Sequence, residues 1–436
     1  IGEAFRPTYK VDGGGRGYLD FDADDHMELV VAKPDVVQYE SIPSVGVMGW
    51  KGISAPGFFE LGAKVRLAGK RRYFGMGALL FRPLDAAEEV KAHDQFKKDS
   101  AAYKPGTVTN MASYLEKEGI DYNITDWNMY SVTNISRIFA NTDTFNGSVE
   151  AWNTSSVVDA SGAFLNAKVF NMPLAGWKLS KLVNANNMFE NAPLFSQDLS
   201  AWDTASLRYM QGIFKNAKGF QGQLAGWDTR NVEDMSQAFM GALAFNNGLN
   251  SWNTSSVLNF ANMFDGAISF DQDLSAWNVT SAQSMRSMFA NADAFNGNVD
   301  SWLPKACLDI SYMFNGAENF NRNISNWDVT KVKRADGTFE GAISFNQPIE
   351  KWDVSSFEST ATMFKNANSF NSPLGKWSVS NVLNMDGMFD GAITFNQDIR
   401  PWCVIHIDME PPAFRDSGCP LPVALTPKWG FPCLGN

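Results

Sequence analysis

The segment FDQDLSAWNV, residues 270–279, nearly repeats FSQDLSAWDT, residues 195–204, at a distance of 75 residues. The tryptophan in each copy belongs to a longer series. Twelve of the fourteen tryptophans lie 25 residues apart, with no insertion or deletion between them: Trp127, Trp152, Trp177, Trp202, Trp227, Trp252, Trp277, Trp302, Trp327, Trp352, Trp377 and Trp402. A fixed period of this length is typical of a chain built from stacked repeats.

Other residue types recur in phase with tryptophan, and we number them by their offset from it, so that +12 is the twelfth residue after Trp. Phenylalanine occupies +12 from Phe139 to Phe389 and +18 from Phe145 to Phe395. Alanine occupies +15 from Ala167 to Ala392, and Leu, Ile or Val lies three residues before every tryptophan of the series. One such unit cannot bury its own apolar face, so the pattern predicts stacked copies that bury the tryptophan and both phenylalanines.

The apolar spacing within a repeat has two parts. Around the tryptophan it is short and β-branched residues are common, as in AWNVTS (276–281), which indicates a short parallel strand. From +5 onward the steps are three, three, one and three, and Gly or Asn at +14 is typical of a helix end, which favours a helix of about two turns. The predicted fold is a repeat solenoid with one short parallel strand plus one short helix per 25-residue repeat.

Three regions follow from this pattern. Residues 1–100 contain no repeat and form the predicted N-terminal docking region. Residues 101–402 form the predicted solenoid of about eleven repeats, beginning with a degenerate cap repeat at 107–120 that lacks tryptophan and is shifted by one residue. Residues 403–436, which contain proline and cysteine, are predicted to form an irregular C-terminal cap or arm.

The repeat resembles the 25-residue repeat of BspA-like surface proteins, first noted in Mycoplasma-type lipoproteins and common in bacteria and marine algae. The resemblance is carried by FDQDLSAWNVTSAQSMRSMF (270–289) and FNQPIEKWDVSSFESTATMF (345–364), and it extends over about residues 120–410. It implies a leucine-rich-repeat-like solenoid that serves interaction or adhesion, and it supplies no catalytic residues.

Composition excludes several classes of function. The net charge is −11, which argues against nucleic acid as a partner. No run of 18 apolar residues exists, so we expect no membrane-spanning segment in the sequence. The chain begins at Ile1, which we interpret as the removal of a targeting peptide. Together with the abundance of the resembling family in algae, this predicts an organellar, plastid or thylakoid-associated location; a secreted or cell-surface location is the alternative.

No grouping of residues indicates catalysis. The three histidines, His26, His93 and His406, are scattered, and neither H-E-x-x-H nor C-x-x-C occurs. We therefore predict no catalytic residues, no bound metal and no cofactor. Cys307 replaces the repeat's apolar residue at +5, which indicates a buried small side chain. In the C-terminal cap we predict a disulfide between Cys419 and Cys433, with an odd thiol remaining.

A basic and aromatic cluster is the strongest local signal for binding. It consists of Lys64, Arg66, Lys70, Arg71, Arg72, Tyr73 and Phe74. Such a cluster suits an acidic protein partner or peripheral contact with anionic lipid, and an ordinary solvated hairpin is the alternative.

Polar residues at +1 form a second series: Asn153, Asp203, Asp228, Asn253, Asn278, Asp328 and Asp353. We interpret them as side chains that hydrogen-bond along the stack, and a ligand-binding column is the alternative. The series breaks most strongly at SWLPKACLDI (301–310), which contains Leu303 and Pro304. That break is either a contact site or a tolerated defect.

These observations favour a non-enzymatic scaffold, an accessory subunit docked through its N-terminal region to a protein partner in a larger, membrane-associated and photosynthetic or other organellar assembly. A secreted or cell-surface adhesin is the alternative. An enzyme housed in residues 1–100 is a third hypothesis, with His26 and His93 as its only histidines.

Overall fold

A computed structural model describes the protein from residue 129 to residue 431, together with parts of the preceding chain. These parts are residues 110–113, 115, 124, 125 and 127 and the backbone of seven strands nearer the N-terminus. The chain divides into two compact units, Ile1–Thr109 with Asp121–Val132, and Asn110–Ile120 with Thr133–Asn436. In the described part of the chain no helix is both long enough and apolar enough to cross a membrane.

The first unit contains two antiparallel sheets. Its strands are β1 (Thr8–Val11), β2 (Arg16–Asp20), β3 (His26–Val31), β4 (Glu40–Ile42), β5 (Val47–Lys51), β6 (Leu61–Leu67) and β7 (Lys70–Gly75). One sheet has the order β1-β2-β5-β4 and the other the order β3-β6-β7. The sequences of the strands contain the β-branched and aromatic residues that favour a pleated conformation.

The second unit is a stack of repeats joined by parallel bridges between residues at +7. The first bridge joins Asn110 to Asn134 and the last joins Ser359 to Asn384. Bridged residues are 25 apart except in the first pair, which is 24 apart, so the degenerate first repeat is shifted by one residue as the sequence indicates. A parallel ladder places adjacent repeats at about 4.8 Å.

Backbone hydrogen bonds continue beyond each bridge. The N–H groups at +8, +10, +12 and +14 donate to carbonyls of the next repeat. In one step the donors Ala160, Gly162, Phe164 and Asn166 contact the carbonyls of Asn184, Asn186, Met188 and Glu190, at 2.9, 2.8, 2.8 and 2.8 Å. The polar backbone of the repeat is therefore satisfied by its neighbour in the stack, as a buried backbone requires.

The predicted strand and helix are absent from this stack. Between residues 133 and 431 the structure has no α-helix and no strand, only isolated bridges and a 3-10 helix at Val423–Leu425. The Trp177 N–H closes a three-residue turn on the carbonyl of Leu174 at 3.0 Å, and Leu182 closes another on Leu179 at 2.8 Å. Such turns space apolar residues three apart without any helix.

Left-handed residues explain why the second half of the repeat is not helical. Backbone φ is positive at +10 and +14 in repeat after repeat. At +14 these residues are Asn141, Asn166, Asn191, Asn216, Gly241, Gly266, Asn291, Gly316, Gly341, Asn366 and Gly391. Glycine and asparagine tolerate this conformation best. The Gly or Asn at +14, predicted to mark a helix end, is a left-handed residue. It belongs to a series of turns whose N–H groups donate to the next repeat, and within the described repeats no helix precedes it.

The core consists of three aromatic columns, and the prediction that the tryptophan and both phenylalanines are buried is confirmed. Neighbouring indoles stack with ring centroids 5.9 to 6.5 Å apart. The +12 rings lie 5.2 to 5.8 Å apart and the +18 rings 5.7 to 6.0 Å apart. From Trp177 to Trp402, each indole N–H in the series also donates to a carbonyl 28 residues earlier, as Trp177 does to the carbonyl of Val149 at 2.8 Å.

The last repeat closes the C-terminal end with a changed register. Phe389 donates to the carbonyl of Phe414, 25 residues later instead of the usual 24, so one extra residue precedes this segment. Although Phe414 is the twelfth residue after Trp402, the shift puts Arg415 in the structural place that the +12 phenylalanine has in other repeats. Arg415 forms an ion pair with Glu410 at 2.7 Å. Phe414 packs edge-on against Phe389 at 5.4 Å and against Trp429 at 5.0 Å. The aromatic columns thus end in perpendicular rings and an ion pair.

Candidate functional site

The predicted docking cluster lies on two paired strands. Lys64 and Arg66 belong to β6, and Lys70, Arg71, Arg72, Tyr73 and Phe74 belong to β7. The register places Lys64 opposite Tyr73 and Arg66 opposite Arg71. The two strands therefore bring the cluster together along the backbone. Its side chains lie outside the described residues, so the docking role stays a prediction.

The polar side chains at +1 accept hydrogen bonds from the backbone of their own repeat. The Oδ1 of Asn153 accepts the N–H of Ser155 at 3.2 Å, and the Oδ1 of Asp203 accepts the N–H of Ala205 at 3.2 Å. Side chains of Asn and Asp commonly stabilise a turn in this way. The interpretation that this series hydrogen-bonds along the stack is wrong, because its acceptors close local turns.

Other polar columns do run along the stack. At +19 the Oδ1 of Asn146 accepts the N–H of Asn171 at 2.9 Å, and at +14 the Nδ2 of Asn191 donates to Asn166 at 2.7 Å. Buried Thr254 donates to the carbonyl of Asn278 at 3.0 Å. The recurrent polar positions are thus occupied by internal hydrogen bonds.

Residues 301–310 differ from most other repeats, because the polar side chain at +1 and its internal hydrogen bond are missing. Leu303 replaces the polar +1 side chain, cannot accept a hydrogen bond from the backbone, and is 41% exposed. Leu308, at +6 of the same repeat, is 43% exposed. Pro304 is buried between them at +2, and the N–H of Lys305 donates to the carbonyl of Leu303 at 2.8 Å. The turn is kept while its outer surface becomes apolar.

Several cations lie in the repeat of the exposed leucines and in the next one. Lys305 lies in the same turn, and Lys331, Lys333 and Arg334 follow in the next repeat. Lys333 pairs with Glu358 at 2.8 Å and Arg334 pairs with Asp309 at 3.0 Å. A hydrogen bond from Thr330, together with the nearby charges of Lys305 and Lys331, lowers the pKa of Asp328 below its ordinary value. Both lysines therefore lie close enough to this corner to influence its charge.

Tyr312 is unusual in the same repeat. It occupies +10 with a φ of +58°, a left-handed conformation that is strained for a bulky side chain. The guanidinium of Arg286, one repeat earlier, lies 5.0 Å from the centre of the Tyr312 ring, within the range of a cation–π contact. Sequence reasoning missed this pair, although comparison of the +10 residues shows tyrosine there only once.

The cysteines differ from their predicted pairing. Cys307 is buried as predicted, and burial raises the pKa of its thiol to about 12, so the thiol is neutral at physiological pH and a poor nucleophile. Cys419 is free, and its Sγ lies 3.8 Å from the carbonyl oxygen of Phe395. The predicted Cys419–Cys433 disulfide is therefore wrong. Cys403 is the disulfide-bonded residue, and Cys433 lies outside the described residues.

Within the described part of the chain, no group of three or more His, Cys, Asp or Glu side chains is placed to hold a metal ion. His406 is exposed, His26 lies on β3, and His93 lies outside the described residues.

Stacked 25-residue units with aromatic columns and hydrogen-bonded backbones define a repeat protein. A family model described as "Mycoplasma protein of unknown function, DUF285" matches three overlapping segments, residues 109–226, 210–317 and 298–402. Together they span 109–402, or 294 of 436 residues, and the chain belongs to this family. No curated protein and no solved structure matches the chain significantly.

Proposed function

We propose that this protein is a non-enzymatic interaction scaffold, an accessory subunit that residues 1–100 dock to a larger assembly. The proposal rests on the observation that the recurrent polar side chains of the stack form hydrogen bonds between repeats. Asn146, Asn191 and Thr254 all hydrogen-bond between repeats. A surface built in this way offers variable side chains on a regular support, which suits protein recognition.

The N-terminal part of the proposal rests on β6 and β7. Five cations, Lys64, Arg66, Lys70, Arg71 and Arg72, lie on these adjacent strands of a chain whose net charge is −11. A local basic segment on an acidic protein fits an acidic patch on a protein partner, because electrostatic complementarity selects orientation. An organellar membrane-associated partner, and with it a plastid location, extends this proposal.

The test is a mild native purification of the full chain from its source, followed by size determination and mass spectrometry. We expect stoichiometric comigration with one assembly, and its loss when the five cations of β6 and β7 are replaced by serine. A matched control replaces five exposed lysines of the second unit by serine: Lys178, Lys181, Lys218, Lys351 and Lys428. The control variant should still comigrate.

A chain that migrates alone near 48.2 kDa under every mild detergent and salt condition would contradict the subunit proposal. A surface adhesin or independent binding protein would then take its place. Equal loss of comigration in both variants would refute docking through β6 and β7, because it would show a general effect of net charge.

A further inference from the structure

We propose that the irregular corner of the repeat stack is a second recognition surface, which binds an acidic protein segment containing aliphatic residues. We call it the Leu303 patch and define it by Arg286, Leu303, Lys305, Leu308, Tyr312 and Lys331. The inference rests on the scaffold function proposed above, but it concerns a different unit of the chain and has a separate test.

Nothing inside the repeat stack explains why the side chains of Leu303 and Leu308 are apolar and exposed. At the same offsets, the repeat of Trp277 carries Asn278 and Gln283, and Asn278 accepts the N–H of Thr280 at 3.0 Å. Leu303 gives up that hydrogen bond and leaves apolar surface in water. Single exposed leucines are common, but two flanking one turn form a paired apolar feature.

The members of the patch lie within reach of one short peptide. Leu308 and Tyr312 are four residues apart, at most about 14 Å along an extended chain. Arg286 belongs to the preceding repeat and Lys331 to the following one, and adjacent repeats in the ladder are about 4.8 Å apart. An extended segment of about five or six residues would span this surface.

Charge selects the class of partner. Residues 331–334 hold three cations, more than any other four-residue window between 133 and 431. Lys305 and Lys331 form no ion pair within the described residues, whereas Lys333 and Arg334 do. Unpaired lysines beside leucines fit carboxylates alternating with aliphatic side chains. The net charge of −11 disfavours a long polyanion such as nucleic acid.

Tyr312 and Arg286 supply an independent reason. The left-handed backbone at +10 is common to the repeats, but Tyr312 is the only aromatic residue that occupies this position between residues 133 and 431. Tyrosine and arginine are also the residue types enriched at the energetic centres of protein interfaces. Their cation–π contact joins the ring of Tyr312 to the preceding repeat.

The test uses the purified full chain and a fluorescein-labelled peptide of six Glu-Leu pairs, with binding followed by fluorescence anisotropy. The patch variant combines Leu303→Asn and Leu308→Gln, the residues of the Trp277 repeat. A second variant combines Lys305→Thr and Lys331→Ser. We expect saturable binding by the unmodified chain and a loss of at least tenfold in affinity for each variant.

The matched control replaces Leu258 and Leu383 by glutamine, because both are exposed leucines at +6 in other repeats. It should change affinity less than twofold. Peptides with Lys in place of Glu, or Ser in place of Leu, should bind at least tenfold more weakly. Circular dichroism melting curves establish that the variants are folded.

Three results would overturn the proposal. One is the absence of saturable binding by the unmodified chain, and another is equal affinity in the patch and control variants. The third is patch-dependent binding to phosphatidylserine vesicles without binding to the peptide, which would assign the surface to lipid. Each measurement is made in parallel on the chain whose five cations of β6 and β7 are replaced by serine, which removes binding of the acidic peptide to that cluster, so the docking proposal stands or falls separately.

Discussion

At the scale of single residues, backbone φ and the space around a glycine decide how well that glycine tolerates replacement by alanine. Gly391 has a φ of +71°, and a Cβ there would overlap the Oδ1 of Asn366. Gly266 has a φ of +70°, but a Cβ there would make only ordinary van der Waals contact, with the Gly241 Cα at 3.7 Å. Gly248 has neither constraint and would meet only the Oε1 of Gln272 at 3.8 Å.

We predict an ordered series of stabilities for alanine at these three glycines. Gly248→Ala should change the free energy of unfolding by less than about 1 kcal/mol, and in the stabilising direction. Gly266→Ala should cost about 1–2 kcal/mol through backbone strain alone. Gly391→Ala should cost more, because strain and steric overlap act together. Urea unfolding monitored by tryptophan fluorescence checks the order, and equal costs would refute it.

A second residue-scale prediction concerns Asp265, whose pKa is raised by burial while a hydrogen bond from Asn291 at 3.1 Å opposes the shift. A raised folded-state pKa means that the folded protein binds the proton more tightly. Ionisation of Asp265 therefore destabilises the fold as pH rises through that pKa. Asp265→Asn should raise the urea midpoint at pH 7 and leave it unchanged near pH 3, where Asp265 is protonated in both states.

Asp198 provides a control of opposite sign. Hydrogen bonds from the backbone and side chain of Ser200 lower its pKa, so its ionised form stabilises the fold above the unfolded pKa. Asp198→Asn should lower the urea midpoint at pH 7, and the difference should vanish as pH falls through the folded pKa. Both variants shifting the pH 7 midpoint in the same direction would contradict these assignments.

At the scale of the repeat element, the indole hydrogen bond is as regular as the stacking. Trp227 donates to the carbonyl of Leu199 at 2.9 Å. Trp227→Phe keeps an aromatic ring but removes one of the two donors to that carbonyl, which also accepts the N–H of Trp202 at 3.1 Å, so we expect a loss of about 0.5–1.5 kcal/mol in the free energy of unfolding. Urea unfolding at constant pH measures it.

Trp429 is the matched control for that substitution. Its Nε1 is buried and has no hydrogen-bond partner among the residues that the structure describes. Trp429→Phe keeps a ring against Phe414 and removes an unsatisfied donor, so it should be nearly neutral or stabilising. A cost equal to that of Trp227→Phe would show that ring volume, and not the indole hydrogen bond, dominates.

The repeat also shows what sequence can and cannot predict at this scale. The period fixes which side chains are buried, because Phe139, Trp152 and their equivalents have no other place in a stack. It does not fix the backbone. Turns that join Trp177 to Leu174 produce the same spacing of three as a helix, and the donors at +8 to +14 bond to the next repeat.

The candidate sites were predictable to different degrees. The departure at Leu303 and Pro304 is visible in the sequence, since Leu303 breaks the polar series at +1 and Pro304 is the only proline at +2. The Arg286–Tyr312 contact required the structure, because the two residues lie 26 apart and only stacking brings them together. The Cys419 pairing failed because spacing within a proline-rich cap says little about the distance between thiols.

At the scale of the whole molecule, a stack gains stability from contacts between neighbouring repeats and leaves its last repeat unpaired unless a cap covers it. Here the N–H groups of Gly387, Phe389 and Gly391 donate to the carbonyls of Pro412, Phe414 and Asp416, at 3.0, 2.8 and 3.1 Å. Because of the shifted register, Pro411 occupies the place where other repeats carry the donor at +8, and it has no N–H to offer. The cap therefore satisfies the stack and blocks its continuation.

Deleting residues 403–436 should convert this closed end into an associating one. The deletion removes the acceptors of Gly387, Phe389 and Gly391 and uncovers Trp402 beside them. Exposed ladder groups next to an aromatic surface are a template for pairing with another chain. We expect the mass measured by light scattering after size exclusion to rise with protein concentration. Deleting only residues 434–436, which keeps all four cysteines, is the control and should leave a concentration-independent mass. A truncated chain that keeps one mass at every concentration would show that the cap serves stability alone.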